Sequence, residues 1–479
     1  MDSHTKTLIG HMSKRTKTVL TDKHHLVLDF AYEYYSKHKT GPLYQSIEKS
    51  TGVSPQDLEE MFPNGLTSVY TWVGIPVHAG QKICKPAVSI QVDDLQQVYL
   101  DHAATTPLRD EIAECLREFY GDPSLGGNPS SSNRPGKRAY EVVAEARSRV
   151  SGCLGVSPET IVFTSGGSEA NNLAIKGIAF QHLLKTGTKG HVVSTKIEHS
   201  SVLSCLHFLE AFGFQVSYID VNRDGSVPAE AIRRVLRKDT LLVATMAVNN
   251  ETGAMNPILD IGALCHRAGV PLMVDAIQCF GKRSLIPAEL QISLMSISGH
   301  KIGAPKGVGA LYVREGVTLA PLIHGGEQEH GLRAGTENVA NIHAFGMAST
   351  LAFEELEREM ARLADLHSYF LRGLSQVDRR CIVNGNRVDK AFHIVNVGFE
   401  GIDSGSLLLS LSNIGISVSA GSACTAGKGE SSHVLKAMGV NTDKYGTVRF
   451  SFGLRTGKKD IDYLFKYLPI VLAQLRKIN

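Results

Sequence analysis

The chain has 479 residues, of which 43% are hydrophobic and 20% charged, with a formal net charge of +3. That length exceeds what one compact core usually serves, so at least two domains are expected in an ordinary soluble globular protein. The small charge gives no ground for direct nucleic-acid binding, and no run approaches the roughly 20 apolar residues of a membrane-spanning helix.

Residues 1–21 are basic and polar without being Arg-rich, and read as a flexible N-terminus. Residues 22–84 read as a small all-helical domain. In HHLVLDFAYEYY, Leu26, Phe30 and Tyr34 recur every four residues, which predicts one helical face. Ser54, Pro55 and Asp57 suit an N-cap and first turn, Pro63-Asn64-Gly65 a stop, and the Trp72 helix ends at Gly74. Residues 85–97 lack a helical period and form a linker of thirteen residues. From residue 98 to 344 short apolar runs (IVFTSG, HVVSTK, VSYID, LLVATMAV, LMVDA, LMSISG) alternate with helix-length segments. That alternation predicts an α/β large domain, a mostly parallel sheet covered by helices on both faces. Residues 345–479, opening on the long charged helix FEELEREMARLADLHSYFLRGL, form a smaller C-terminal α/β domain.

Eight cysteines, at 84, 115, 153, 205, 265, 279, 381 and 424, form no CxxC or Cys/His knuckle. No metal site is expected, and thiols this sparse, without a secretory segment, read as cytoplasmic.

The strongest chemical signal is SISGHKIGAPKGVG, where Lys301 ends a strand behind Ser298 and His300. A lysine there can form a Schiff base if desolvation or neighbouring charge removes its proton, with Ser298 and His300 left to bind a phosphate. Asp275 ends the apolar strand of LMVDAIQ, where a carboxylate needs a partner such as a protonated pyridine nitrogen; Gln278 could bond the ring hydroxyl. In IVFTSGGSEANN a glycine pair opens a helix, so the Gly167 and Ser168 N–H groups would face an anion. His199 opens another helix and could stack on a flat ring and move protons. Asn249 and Asn250 end a further apolar strand, Asn250 within reach of the same ring hydroxyl and Asn249 assigned to substrate. Taken singly, Lys301 could be an exposed loop lysine, Asp275 a helix N-cap and His199 a structural histidine.

Together with YLDHAATTP, GNPSS, VNNETG, RAGT, VRFSFG and above all SAGSACTAGKGESSHVL, these motifs resemble the cysteine desulfurases (NifS/IscS-like) of the class V aminotransferase fold, from Tyr99 to the C-terminus. The resemblance implies a fold-type I enzyme with a seven-stranded-type sheet and pyridoxal 5'-phosphate as cofactor. It implies Lys301 as the Schiff-base lysine, Asp275 as pyridinium partner, and Gln278 and Asn250 on the ring hydroxyl. His199 would be the stacking acid/base, and Ser168, Ser298 and His300 phosphate ligands. Thr336 of RAGT would be a phosphate ligand given across a homodimer interface. Arg449 would clamp the substrate carboxylate, and Cys424 would take sulfur from L-cysteine as a persulfide, leaving L-alanine. Gly421, Ser422, Gly427 and Gly429 suggest a mobile loop around Cys424. The acceptor implied is an iron–sulfur scaffold or a tRNA-thiolation relay protein. The nearest alternative is selenocysteine lyase or another class V transaminase or lyase. One stretch departs from the family: HGGEQEHG stands where GGG and an arginine-bearing segment are usual, with Glu327 for a small residue and His330 for an arginine.

The N-terminal part (DFAYEYYSKHKTGP, then LEEMFPNGLTSVYTWVGIP) resembles small helical sulfur-relay proteins of the DsrC/TusE type. Cys84, flanked by Lys82 and Lys85 that favour a thiolate, is the one cysteine that could match their relay thiol. The chain's own N-terminal domain is thus a candidate acceptor.

Overall fold

The computed structural model describes residues 1, 3–38, 42, 44–75, 90, 92, 94–386, 388, 390–421 and 432–478. Cys84 and Cys424 lie outside them.

Five helices form the N-terminal unit: α1 (Ser3–Thr16), α2 (Asp22–His38), α3 (Tyr44–Thr51), α4 (Pro55–Met61) and α5 (Leu66–Trp72). The expected frayed terminus is instead the helix α1. Thr5, Ile9 and Met12 recur at i, i+4 and i+7, and Ile9 is buried in one core with Val27, Leu28, Phe62 and Trp72. The face of α2 is also shifted from the expected one. His24, Val27, Leu28 and Ala31 are buried, while Leu26 is exposed. His24 enters the core because both ring nitrogens are satisfied, Nδ1 with Thr21 Oγ1 (2.7 Å) and Nε2 with the Met61 carbonyl (2.9 Å). At α4 the expected cap is present as a capping box, Ser54 accepting from the Asp57 N–H while Asp57 accepts from the Ser54 N–H.

After β1 (Val98–Tyr99) come α6 (Asp110–Gly121), α7 (Arg134–Leu154), β2 (Ile161–Thr164), α8 (Gly167–Thr186), β3 (His191–Thr195), α9 (Ser200–Ala211) and β4 (Gln215–Ile219). Next are α10 (Ala229–Val235), β5 (Thr240–Met246), α11 (Ile258–Ala268), β6 (Leu272–Asp275), β7 (Leu294–Ser298) and β8 (Gly309–Val313). Strands β2 to β8 make one seven-stranded sheet in the order β2-β8-β7-β6-β5-β3-β4. Only β8 runs against the others, as the antiparallel pairs β2–β8 and β7–β8 require. Strands β2, β3, β6, β7 and β8 are buried throughout, and all but β8 coincide with the apolar runs of the sequence.

Two helices follow, α12 (Val339–Glu354) and α13 (Leu356–Val377), where one was expected to begin at 353. The domain boundary placed at 344/345 falls inside α12, whose Ile342, Ala344, Phe345, Ala348 and Ala352 all pack in the large core. The second core starts at Leu363 on α13, so the break at Glu355 is the structural boundary. After it come β9 (Ile382–Asn384), β10 (Ile394–Glu400), α14 (Ser404–Asn413), β11 (Ile416–Ser417), α15 (His433–Ala437), β12 (Tyr445–Ser451) and α16 (Lys458–Ile478), of which α15 packs its Val434 and Leu435 in the large core. Strands β12, β10 and β9 form an antiparallel sheet, and β1 pairs in parallel with β11. Val98 and Leu100 therefore belong to the small core. The chain crosses from there into the large unit through residues 101–106, between the two.

Candidate active site

A cavity of about 460 Å³ opens at the C-terminal ends of the parallel strands, where α/β sheets place their ligands. Asp275 ends β6 and Ser298 ends β7; Gly167, His199 and Asn250 follow β2, β3 and β5. Gly167, Ser168, His199, Asn250, Asp275, Gln278, Ser298, His300, Lys301 and Arg449 all line it.

Lys301 Nζ donates to the carbonyls of Ala103 (2.6 Å) and Ala104 (2.7 Å). Burial, helped by the Arg449 and Lys282 charges, brings its ammonium down to about 7, while Asp101 and Asp275 oppose the shift. Near neutral pH a large fraction is therefore the free amine, the nucleophilic form. Lys282 donates to the Lys301 carbonyl (2.8 Å) and fixes the main chain behind it.

Asp275 is 5% exposed. Its Oδ1 accepts from the Ile277 N–H (3.0 Å) and its Oδ2 from Asn171 Nδ2 (2.9 Å), which also donates to Ser201 Oγ (2.8 Å). Ser201 Oγ lies 2.8 Å from His199 Nδ1, and the Ser201 N–H donates to that same nitrogen (3.1 Å). Because Nδ1 accepts a backbone proton, the neutral His199 ring carries its hydrogen on Nε2. Burial holds the imidazole below its ordinary range, Lys301 adding to the effect and Asp275 opposing it. His199 is thus both the N-cap of α9 and a cavity residue. His300 is brought down to about 3, by burial first and then the Lys301, Lys282 and Lys306 charges, and its Nδ1 meets Thr105 Oγ1 at 3.1 Å.

The anion cradle is built from backbone. Gly166 has φ 149°, which L side chains rarely adopt, and a Cβ there would point toward Ser298 Oγ, 3.9 Å away. Next to it the first N–H groups of α8 have no partner within the helix.

One expectation needs correction. Asn249 does not line the cavity: it is fully buried, its Oδ1 accepting from Glu251 N–H, Thr252 N–H and Thr252 Oγ1 while its Nδ2 donates to the Ile197 carbonyl. It shapes the turn that presents Asn250. Thr336 is exposed on its loop and outside the cavity of its own chain. The segment 101–106 supplies groups that residue-by-residue reading missed. Ala103 O also accepts from Gln278 Nε2 (2.8 Å), and Asp101 Oδ1 from Arg449 Nη2 (2.8 Å). Carbonyl ligands leave no side-chain signature; Asp101 alone had one, inside the motif YLDHAATTP.

A family model described as aminotransferase class-V matches residues 98–464. Cysteine desulfurase IscS of Dictyoglomus turgidum is 41% identical over 386 residues, covering 80% of this chain and 96% of that protein. A solved NifS-like protein has a TM-score of 0.74 at 34% identity, over 79% of this chain and 100% of its own. Another, solved as SspA in complex with cysteine, has a TM-score of 0.66 at 35% identity, over 74% and 98% respectively.

Pyridoxal phosphate, on which this family depends, fits the donor set. The Gly166 cradle and Ser298 suit its phosphate, and the buried Asp275 carboxylate suits a protonated ring nitrogen. Gln278 Oε1 is buried without a partner among the described residues, an acceptor that a ring hydroxyl would satisfy. The chain belongs to the class-V aminotransferase family, among its pyridoxal-phosphate-dependent cysteine desulfurases.

Proposed function

We propose that this protein converts L-cysteine to L-alanine and carries the released sulfur as a persulfide on Cys424. The observation that carries the proposal is the meeting of a desolvated Lys301, whose ammonium is brought down to about 7, the buried Asp275 and the buried Arg449 guanidinium in one cavity.

Arg449, 1% exposed, would bind the substrate carboxylate. When bound, pyridoxal phosphate supplies an aldehyde and an electron-accepting ring held to Lys301 and Asp275. Lys301 Nζ would take and return the proton at the substrate Cα, and His199, through its Nε2–H, would donate a proton in the same cavity. The Cys424 thiolate then attacks the substrate sulfur: an S–S bond forms, the carbon–sulfur bond breaks toward carbon, and protonation there yields alanine. Cysteine chemistry elsewhere supports this assignment by exclusion. Cys115, Cys153, Cys205, Cys265, Cys279 and Cys381 are free, and burial raises every one of their thiols, to about 11 at Cys153 and about 12 at Cys205, Cys265 and Cys279. Of the eight cysteines, that leaves Cys84 and Cys424.

The working unit is proposed to be a homodimer in the cytoplasm, with Thr336 given to the neighbour's phosphate site. An iron–sulfur scaffold, a tRNA-thiolation relay protein or the chain's own Cys84 would receive the sulfur. In the test, wild-type protein and Cys424→Ser are each given L-cysteine and alanine is measured. The variant should keep the cofactor's visible absorption and form almost no alanine; undiminished alanine would remove Cys424 from the reaction.

A further inference from the structure

The Arg449 guanidinium is almost wholly buried, yet its donors are unevenly used. Nη1 donates to the Asn250 carbonyl (2.9 Å) and Nη2 to Asp101 Oδ1 (2.8 Å), while the buried Nε has no partner among the described residues. Nε and Nη2 share one edge of the planar group, the edge that a carboxylate grips with both oxygens. Asp101 thus engages one of that edge's two nitrogens. Its other oxygen, Oδ2, accepts from Ser419 Oγ (2.7 Å), and Ser419 is tied to Arg449 again through the backbone, each N–H donating to the other's carbonyl. Asp101 is 16% exposed, so it faces Arg449 in a setting where water screens the pair poorly.

A buried guanidinium without a counter-charge is costly, and Asp101 supplies that charge when no substrate is present. A substrate carboxylate arriving at the same edge meets both an attractive cation and a repelling anion. We propose that Asp101 is a positioning residue that acts through Arg449: it holds the guanidinium in place and sets carboxylate affinity by competing for the same edge. This rests on Arg449 being the carboxylate clamp of the proposed reaction. The competition keeps the clamp selective, because a ligand without a carboxylate gains nothing from displacing Asp101. Ser419 moderates it, since the hydrogen bond to Oδ2 draws charge away from Arg449.

The test is calorimetric binding of L-alanine and of L-alaninamide, which lacks the carboxylate, to the cofactor-loaded protein. Asp101→Asn keeps shape and hydrogen-bonding capacity but removes the charge. It should bind L-alanine about fivefold more tightly and L-alaninamide unchanged. Ser419→Ala leaves Asp101 wholly to Arg449 and should weaken L-alanine binding about twofold. A merely structural Asp101 would weaken both ligands on substitution and never tighten one. The proposal is overturned if Asp101→Asn binds L-alanine no more tightly, or if L-alaninamide shifts equally. Should Asp101→Asn fail to fold, unchanged or tighter L-alanine binding by Ser419→Ala overturns it alone. If the wild type makes no alanine from cysteine while these shifts occur, the reaction proposed above fails and the role of Asp101 stands.

Discussion

The proton on Lys301 decides when the site can react. Burial is the largest cause of its depression, and Arg449 and Lys282 add positive charge nearby. Reductive methylation of cofactor-free protein, followed by peptide mapping, should therefore label Lys301 with a midpoint near pH 7, well below the ordinary 10.5 that exposed lysines follow. A midpoint near 10 would show that the cavity does not desolvate the amine. The stability consequence has a definite sign. Between about 7 and 10.5 the unfolded chain holds this proton and the folded chain does not, so the group's contribution to stability rises with pH across that window. Below 7 the folded protein carries the full cost of a buried ammonium. At this scale Lys301, Asp275 and His199 were legible as cavity residues because each ends or follows an apolar strand of the parallel sheet, where α/β folds place their ligands. Asn249 and Asn250 were not separable, since nothing in two adjacent asparagines says which one turns inward to hold the loop. Asp101 passed unassigned because its partner Arg449 is 348 residues away.

Elements were legible where burial is uniform. Six of the seven large-sheet strands coincide with the apolar runs, whereas β8 (GALYV) hides between glycines and a charged turn. The departure HGGEQEHG shows what motif comparison overlooks. Glu327 and His330 drew attention, yet the anchor is Glu329, buried at φ 46° and ψ 48° in the left-handed region. Its carboxylate accepts from Arg147 Nη1 and Nη2 (both 2.7 Å) and from the Phe163 N–H of β2 (2.7 Å). From there the loop runs to Arg333, whose Nε donates to Glu169 Oε1 (3.0 Å) on the first turn of α8, and on to Thr336. Two contacts, Glu329 with α7 and β2 and Arg333 with α8, therefore fix the segment that leads to the loop proposed to reach a neighbouring subunit. Glu329→Ala would leave the Arg147 guanidinium without its counter-charge, with the Ile161 carbonyl as its remaining acceptor, and the buried Phe163 N–H unpaired, a loss of about 3–5 kcal/mol with no relief of the left-handed backbone, since alanine keeps the Cβ. The apparent Tm should fall by several degrees; an unchanged Tm would mean that the anchor contributes nothing net.

For the whole molecule, the family match begins at residue 98, and the helical unit of α1 to α5 precedes it with its own core around Phe62 and Trp72. That unit was legible from its capping signals at α4, but its first helix was not, because Lys6, Lys14, Arg15 and Lys17 hide a narrow apolar stripe. None of the described helices is long and apolar enough to cross a membrane. Residues 85–97, expected as a linker of thirteen residues, are held at their far end: Ile90 and Val92 pack on the small core and the Gln96 N–H donates to Tyr463 Oη (3.4 Å), so Cys84 precedes by six residues the first of these contacts with the catalytic part of the chain. Sulfur should then appear on Cys84 after Cys424 and never without it. The most direct test is a single turnover with one equivalent of L-cysteine per site and no external thiol, with cysteine peptides mapped by mass spectrometry over time. Persulfide is expected first on Cys424, in step with alanine, then on Cys84, and on neither in Cys424→Ser. Alanine formed in full while Cys424 stays unmodified would contradict the account.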